Sequence, residues 1–208
     1  MKASVINKFV LISKIILPAL VCLTLVLLFQ KLEIFKYNSL YFTISSFGVV
    51  ITLFNLKKIR YSIIINLISS VSLSFIILFL SLFIVGIIVY FIEKLPTGFN
   101  LNYINSMVIK ESSNIISIAI LSPLLMFYSY KLLFKINTSM YFKITATISI
   151  LILLTLRLTK SMIEETYLFA FWQTIMVLAL QLILYQNEIV ELTKNKILPT
   201  IKYKHNKG

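Results

Sequence analysis

Between Arg60 and Glu93 the chain runs for 32 residues, Tyr61 to Ile92, without a single charged side chain. No soluble domain buries so long a stretch in one piece, and about 20 helical residues already cross a hydrocarbon core of about 30 Å. Lipid offers no partner to a free backbone N–H or C=O, so such a run has to satisfy its own backbone as a helix. As one helix it would reach about 48 Å, which requires it to tilt, to kink near Gly86 or to project beyond the bilayer.

The same reasoning gives six spans, at 9–29, 37–56, 61–92, 114–130, 141–158 and 167–185, in a single all-α polytopic bundle covering 1–193. The composition agrees, with 59% hydrophobic and 13% charged residues, far from the quarter-charged balance of a soluble domain. The fifth span is the shortest in apolar terms. Only Ile144 to Leu156 lie between Lys143 and Arg157, about 20 Å of helix, so the flanking cations must snorkel. Pro123 in the fourth span removes one N–H donor, which frees a carbonyl and kinks the helix. Trp172 and tyrosines 37, 41, 61, 90, 141, 167 and 185 fall near span ends, as in an interfacial aromatic belt.

The formal net charge of +13 arises from 20 Lys and Arg against seven Glu. These cations are scattered between apolar runs, not gathered on one face with stacking aromatics, so no nucleic-acid partner is expected. They act as topology signals. Six spans collect 14 of the 20 on the side that holds both termini, and by the positive-inside rule that side is cytoplasmic. The first apolar run is followed by Gln30, Lys31 and Leu32, not by the small residues of a cleavage site, and is expected to stay as a helix. A bacterial inner membrane is the expected location, with an organelle membrane as the alternative.

Between the third and fourth spans, Glu93 to Glu111 forms the one long external segment. Leu101, Ile104 and Val108 recur there at helical spacing, as in a short helix on the outer interface or an ordinary ordered loop.

The inventory of reactive groups is narrow. The chain has no Asp, one histidine at His205 and one cysteine at Cys22. No cofactor or metal site is expected, since zinc needs three or four converging ligands. Gly-rich nucleotide motifs are missing as well, four glycines being too few to supply them. Cys22 reads as a small apolar filler.

Glu164 and Glu165 at the start of the sixth span are the most suggestive acids. They resemble the adjacent glutamates of the CAAX-protease-like family, which places an arginine shortly after the pair and histidines on later helices. Here Thr166, Tyr167 and Leu168 follow and no later span exists, so membership is not assigned. The carboxylates either pair with Arg157 or Lys160 in external water or, with Arg157, form a vestibule that attracts cations.

Polar side chains within spans mark a pathway or a helix contact. Asn66, Ser69, Ser70 and Ser72 form a stripe in the third span, with Asn66, Ser69 and Ser72 spaced by three on one face. Gln173 and Gln181 lie in the sixth. Beyond the last span, Lys194, Lys196, Lys202, Lys204 and Lys207 make a basic tail over 194–208. Each charge adds about 1 kcal/mol of attraction to anionic headgroups, and the tail could equally dock a cytosolic partner.

Three functions are compatible with this pattern. The first is a non-catalytic membrane subunit that anchors or assembles a complex with other membrane subunits. The second is a small-solute or ion permease, alone or as the membrane part of a transporter. The third, an intramembrane enzyme using Glu164 or Glu165, lacks the partner groups that such chemistry needs.

Overall fold

A computed structural model describes residues 2–32, 39–94, 103–159 and 165–193. Among them are seven α-helices and one π-helical turn: α1 (Lys2–Lys31), α2 (Ser39–Phe54), α3 (Ile63–Lys94), α4 (Tyr103–Ile116), the π turn Ser117–Leu121, α5 (Ser122–Leu133), α6 (Met140–Leu158) and α7 (Glu165–Leu184). After a turn at Tyr185 the chain is helical again over 186–193.

Five stretches are long and apolar enough to cross a membrane: Lys8–Phe29, Ile63–Phe91, Glu111–Leu133, Met140–Leu158 and Tyr167–Leu184. The shorter Tyr41–Phe54 is apolar as well. The 16 residues of α2 rise only about 24 Å, less than a hydrocarbon core is thick. The expected second span began at 37, and its first residues lie outside the described ones. Serine and threonine are tolerated inside these helices because their hydroxyls bond back to the preceding turn. Ser74 donates to the Ser70 carbonyl, Ser149 to that of Thr145 and Thr174 to that of Ala170.

One expectation is corrected. The outer segment carrying Ile104 and Val108 is helical, but it is not a separate interfacial helix. It runs through the π turn into α5 as one rod from Tyr103 to Leu133, because no residue between Lys110 and Asn114 breaks the helical path. The third span, for its part, is a continuous helix of 32 residues running on to Lys94, two residues past its expected end at 92. Met140–Leu158 in turn takes in the residues flanking the 13-residue apolar run, and its 19 residues rise about 28 Å.

Each helix packs on the next along the chain, and α7 returns to close the ring against α1. The buried residues of α1, Leu11, Ile15, Ala19, Cys22 and Val26, recur every three or four positions and form the stripe of a packed helix. Helix α7 is the hub. Of its apolar window 61% is buried, against 22–39% in the other four. The buried Gln173 and Gln181 lie on the packed side of α7, while Tyr167 and Phe171 point outward.

At one end of the bundle the α2–α3 and α5–α6 connections are joined. Ile59 and Phe134 form an isolated antiparallel bridge, Arg60 Nε donates to the Phe134 carbonyl at 3.0 Å, and Lys58 pairs with Glu188. Lys14 and Lys58 lie over the Tyr185 ring, 5.8 and 4.9 Å from its centroid. Ser139, which caps α6 by accepting from the Phe142 N–H, also donates to Gln186. This is the basic end; the α6–α7 turn lies at the other.

Candidate functional site

The polar stripe of the third span follows α-helical spacing of four. Asn66, Ser70, Ser74 and Ser81 are buried, whereas Ser69 is half-buried and Ser72 is exposed. Asn66 and Ser70 therefore share the inner face, and Ser72 does not. The expected face at spacing of three drifts outward because three residues turn an α-helix by only about 300°.

This inner face makes a seam with α2 and α5. Ser70 Oγ lies 2.7 Å from Thr52 Oγ1 and 3.0 Å from the Gly48 carbonyl. Tyr130, fully buried, brings its hydroxyl to 2.9 Å from Ser74 Oγ and donates to the Ser70 carbonyl at 3.2 Å. Gly48 is what lets α2 come so close. A Cβ at that position would lie 2.8 Å from the Val71 nitrogen and 2.9 Å from the Ser70 carbonyl carbon, both backbone atoms. Small residues at a membrane helix crossing serve this purpose.

Gln173 ties three helices together. Its Nε2 donates to the Thr43 carbonyl of α2 at 2.8 Å, and its Oε1 accepts from Cys22 Sγ of α1 at 3.4 Å. Cys22 is thus a buried filler that also carries a weak donor. Gln181 differs: neither of its amide atoms has a partner among the described residues, and the same holds for Asn66 and for Asn55 Oδ1. The Thr52–Ser70 contact sets an antiparallel register that places Asn55 opposite Asn66. The parallel register of Gln173 with Thr43 places Gln181 beside Ile51, one turn before Asn55. Three buried amides thus fall within about one helical turn of one another along the bundle, toward the basic end.

The other end is organised by Pro123. In the π turn, the Ser122 N–H donates to the Ser117 carbonyl, five residues back. The next donor in that pattern would be residue 123, which as proline has none. The Ile118 carbonyl is left over, and Trp172 Nε1 of α7 donates to it at 2.9 Å. The freed carbonyl expected from Pro123 therefore exists, and its partner comes from another helix. Trp172 is accordingly buried. This corrects its reading as an interfacial anchor, and Tyr185, also buried, is corrected in the same way, its ring covered by two lysines.

Trp172 stacks on Phe169, with centroids 6.0 Å apart, and the pair separates two spaces. Inside lies a cavity of about 40 Å³ with Ser74, Ser122 and Gln173 among an otherwise apolar lining. Outside lies a groove of about 220 Å³ walled by Leu153, Leu156, Leu168, Phe169, Trp172 and Ile118, with Arg157 in its rim. Arg157 Nε is buried and has no partner among the described residues.

Glu165 opens α7, but its side chain, Glu164 and the whole tail with Lys194, Lys196, Lys202, Lys204 and Lys207 lie outside the described residues. Among the described residues, no three His, Cys, Asp or Glu lie together as metal ligands would. Sequence reasoning named Arg157 as a flanking cation of the fifth span and beside Glu164 and Glu165, and missed Tyr130, Thr52 and Gly48. A tyrosine at the end of the fourth span and a glycine inside the second were the available signals. Compared with protein-family models, with curated proteins and with solved structures, the chain finds no match.

Proposed function

We infer that the protein is a non-catalytic integral membrane subunit that anchors or assembles a complex. It has six spans, with both termini on the cytoplasmic side where the cations concentrate. The observation that carries this reading is α3. It is the longest apolar helix and the least enclosed, with 22% of its window buried, and its outward side offers Ile68, Ile76, Phe79 and Phe83. Ser72 and Gly86 lie among them, and a Cβ at Gly86 would meet nothing within 4 Å. Such a notch gives room for a second helix to approach closely. Meanwhile Ser70, Ser74 and Gln173 are engaged in bonds between helices, which suits a support more than a conduit.

The test is purification of the tagged chain from its native membrane in mild detergent. A fixed partner should co-purify at constant stoichiometry, and a cysteine crosslinker placed by Ser72→Cys should join to it. If the chain emerges alone and the crosslinker reaches only lipid, the reading is lost.

One observation favours a second reading, that of a small-solute or ion permease. Asn66 and Gln181 are fully buried, with every amide atom unpaired among the described residues, as groups facing a transported solute would be. Flux into liposomes containing this chain alone, lost in Asn66→Leu and Gln181→Leu, would establish it in place of the subunit.

A further inference from the structure

We propose that the groove at the α6–α7 end is a binding site for one acyl chain of an anionic phospholipid, with its headgroup held by Arg157. Three observations meet there. The walls are apolar and come from three separate elements: Ile118 from the π turn, Leu153 and Leu156 from α6, and Leu168, Phe169 and Trp172 from α7. Ile118, Leu156, Arg157 and Phe169 are each only half-buried, so the groove opens onto the lipid-facing side of the bundle. Its volume of about 220 Å³ falls below the range of about 300–1,000 Å³ that encloses a whole small molecule. It fits part of a chain that enters from the side and continues into the bilayer.

Arg157 decides the class of headgroup. It stands in the last turn of α6, the depth at which a guanidinium meets the headgroup layer while its stem stays among hydrocarbon. Its Nε is sealed from water without a partner among the described residues. With Nε sealed, the remaining N–H edge of the half-buried guanidinium is satisfied best by a group that accepts two parallel N–H bonds, and a phosphate does so. The groove's far wall is fixed by the Trp172 bond to the Ile118 carbonyl, so the site is formed before a lipid arrives.

The chain supplies its own reporter, because Trp172 is the sole tryptophan and lines the groove. The purified protein is reconstituted in vesicles of phosphatidylcholine containing increasing fractions of either phosphatidylglycerol or phosphatidylcholine brominated along the acyl chains. Quenching of Trp172 fluorescence is then read. Both lipids present a phosphate, but in phosphatidylcholine a choline cation neutralises it, so the brominated anionic lipid should reach half-maximal quenching at a mole fraction about fivefold lower than the neutral one, the size of one charge's attraction at the surface. Arg157→Gln should bring the two curves together, and Arg157→Lys should leave a smaller preference. Unchanged far-UV circular dichroism shows that each variant is folded; should Arg157→Gln not fold, Arg157→Lys alone decides. Equal quenching by the two lipids in the unaltered protein overturns the proposal. A preference that survives in both variants overturns it too.

Discussion

Replacing Gly48 by alanine puts one methyl group where α2 and α3 nearly touch. The new Cβ would stand 2.8–2.9 Å from three backbone atoms of Ser70 and Val71, and backbone cannot rotate aside as a side chain can. The helices must separate by roughly half an ångström or more to restore ordinary contact near 3.5 Å. Overpacking of this kind costs about 1–3 kcal/mol. Separation also stretches the Ser70 bonds to Thr52 and to the Gly48 carbonyl, each worth about 0.6 kcal/mol in a membrane bundle. Against this, alanine is the better helix former by about 0.5–1 kcal/mol. The net expectation is a loss of about 1–3 kcal/mol. Gly86→Ala is the matched control, since nothing lies within 4 Å of its added Cβ, and only the gain from helix propensity remains. Unfolding by sodium dodecyl sulfate, followed by circular dichroism in mixed micelles, should place Gly48→Ala below the unaltered protein and Gly86→Ala level with it or above. Equal midpoints for the two variants would refute the close crossing and the α2–α3 register built on it.

Trp172→Phe keeps the ring but removes the donor to the Ile118 carbonyl, and should cost about 1–3 kcal/mol, the penalty of a buried acceptor left bare. Pro123→Ala restores a donor within the helix, so the double variant should recover part of that loss in the same unfolding assay; additive losses would disprove the exchange of donors. Tyr130→Phe should lower stability by about 0.5–1.5 kcal/mol without altering helix content, because Ser74 keeps its bond to the Ser70 carbonyl while the bridge from α5 is lost. No change in the unfolding midpoint would count against the hydroxyl's role.

The helices were legible because lipid removes every alternative to them: an uncharged run such as 61–92 has to be helical whatever its neighbours are. Their pairing was not legible. Where every face of α3 is apolar, the 3.6-residue period carries no inside-or-outside signal, and only the serines and asparagine marked a side. Even those misled when counted by three, since Ser72 shares a stripe with Asn66 on paper and turns outward in the fold. Trp172 shows the other limit. That Pro123 frees a carbonyl follows from one residue's chemistry, but naming its partner requires the register of two helices some fifty residues apart. The groove was hidden for the same reason, because its walls come from three segments that have no common pattern.

The closure of the ring between α1 and α7 bears on how the protein is made. The core side of α1, from Leu11 to Val26, has its chief partner in α7, far along the chain, and the Cys22–Gln173 contact joins residues 151 positions apart. Until α7 leaves the ribosome, the nascent chain is an open palisade whose first helix waits in lipid with its thiol and its packing stripe uncovered. A chain stalled or cut before Gln173 would present that unclosed edge to whatever surveys the membrane for unfinished proteins.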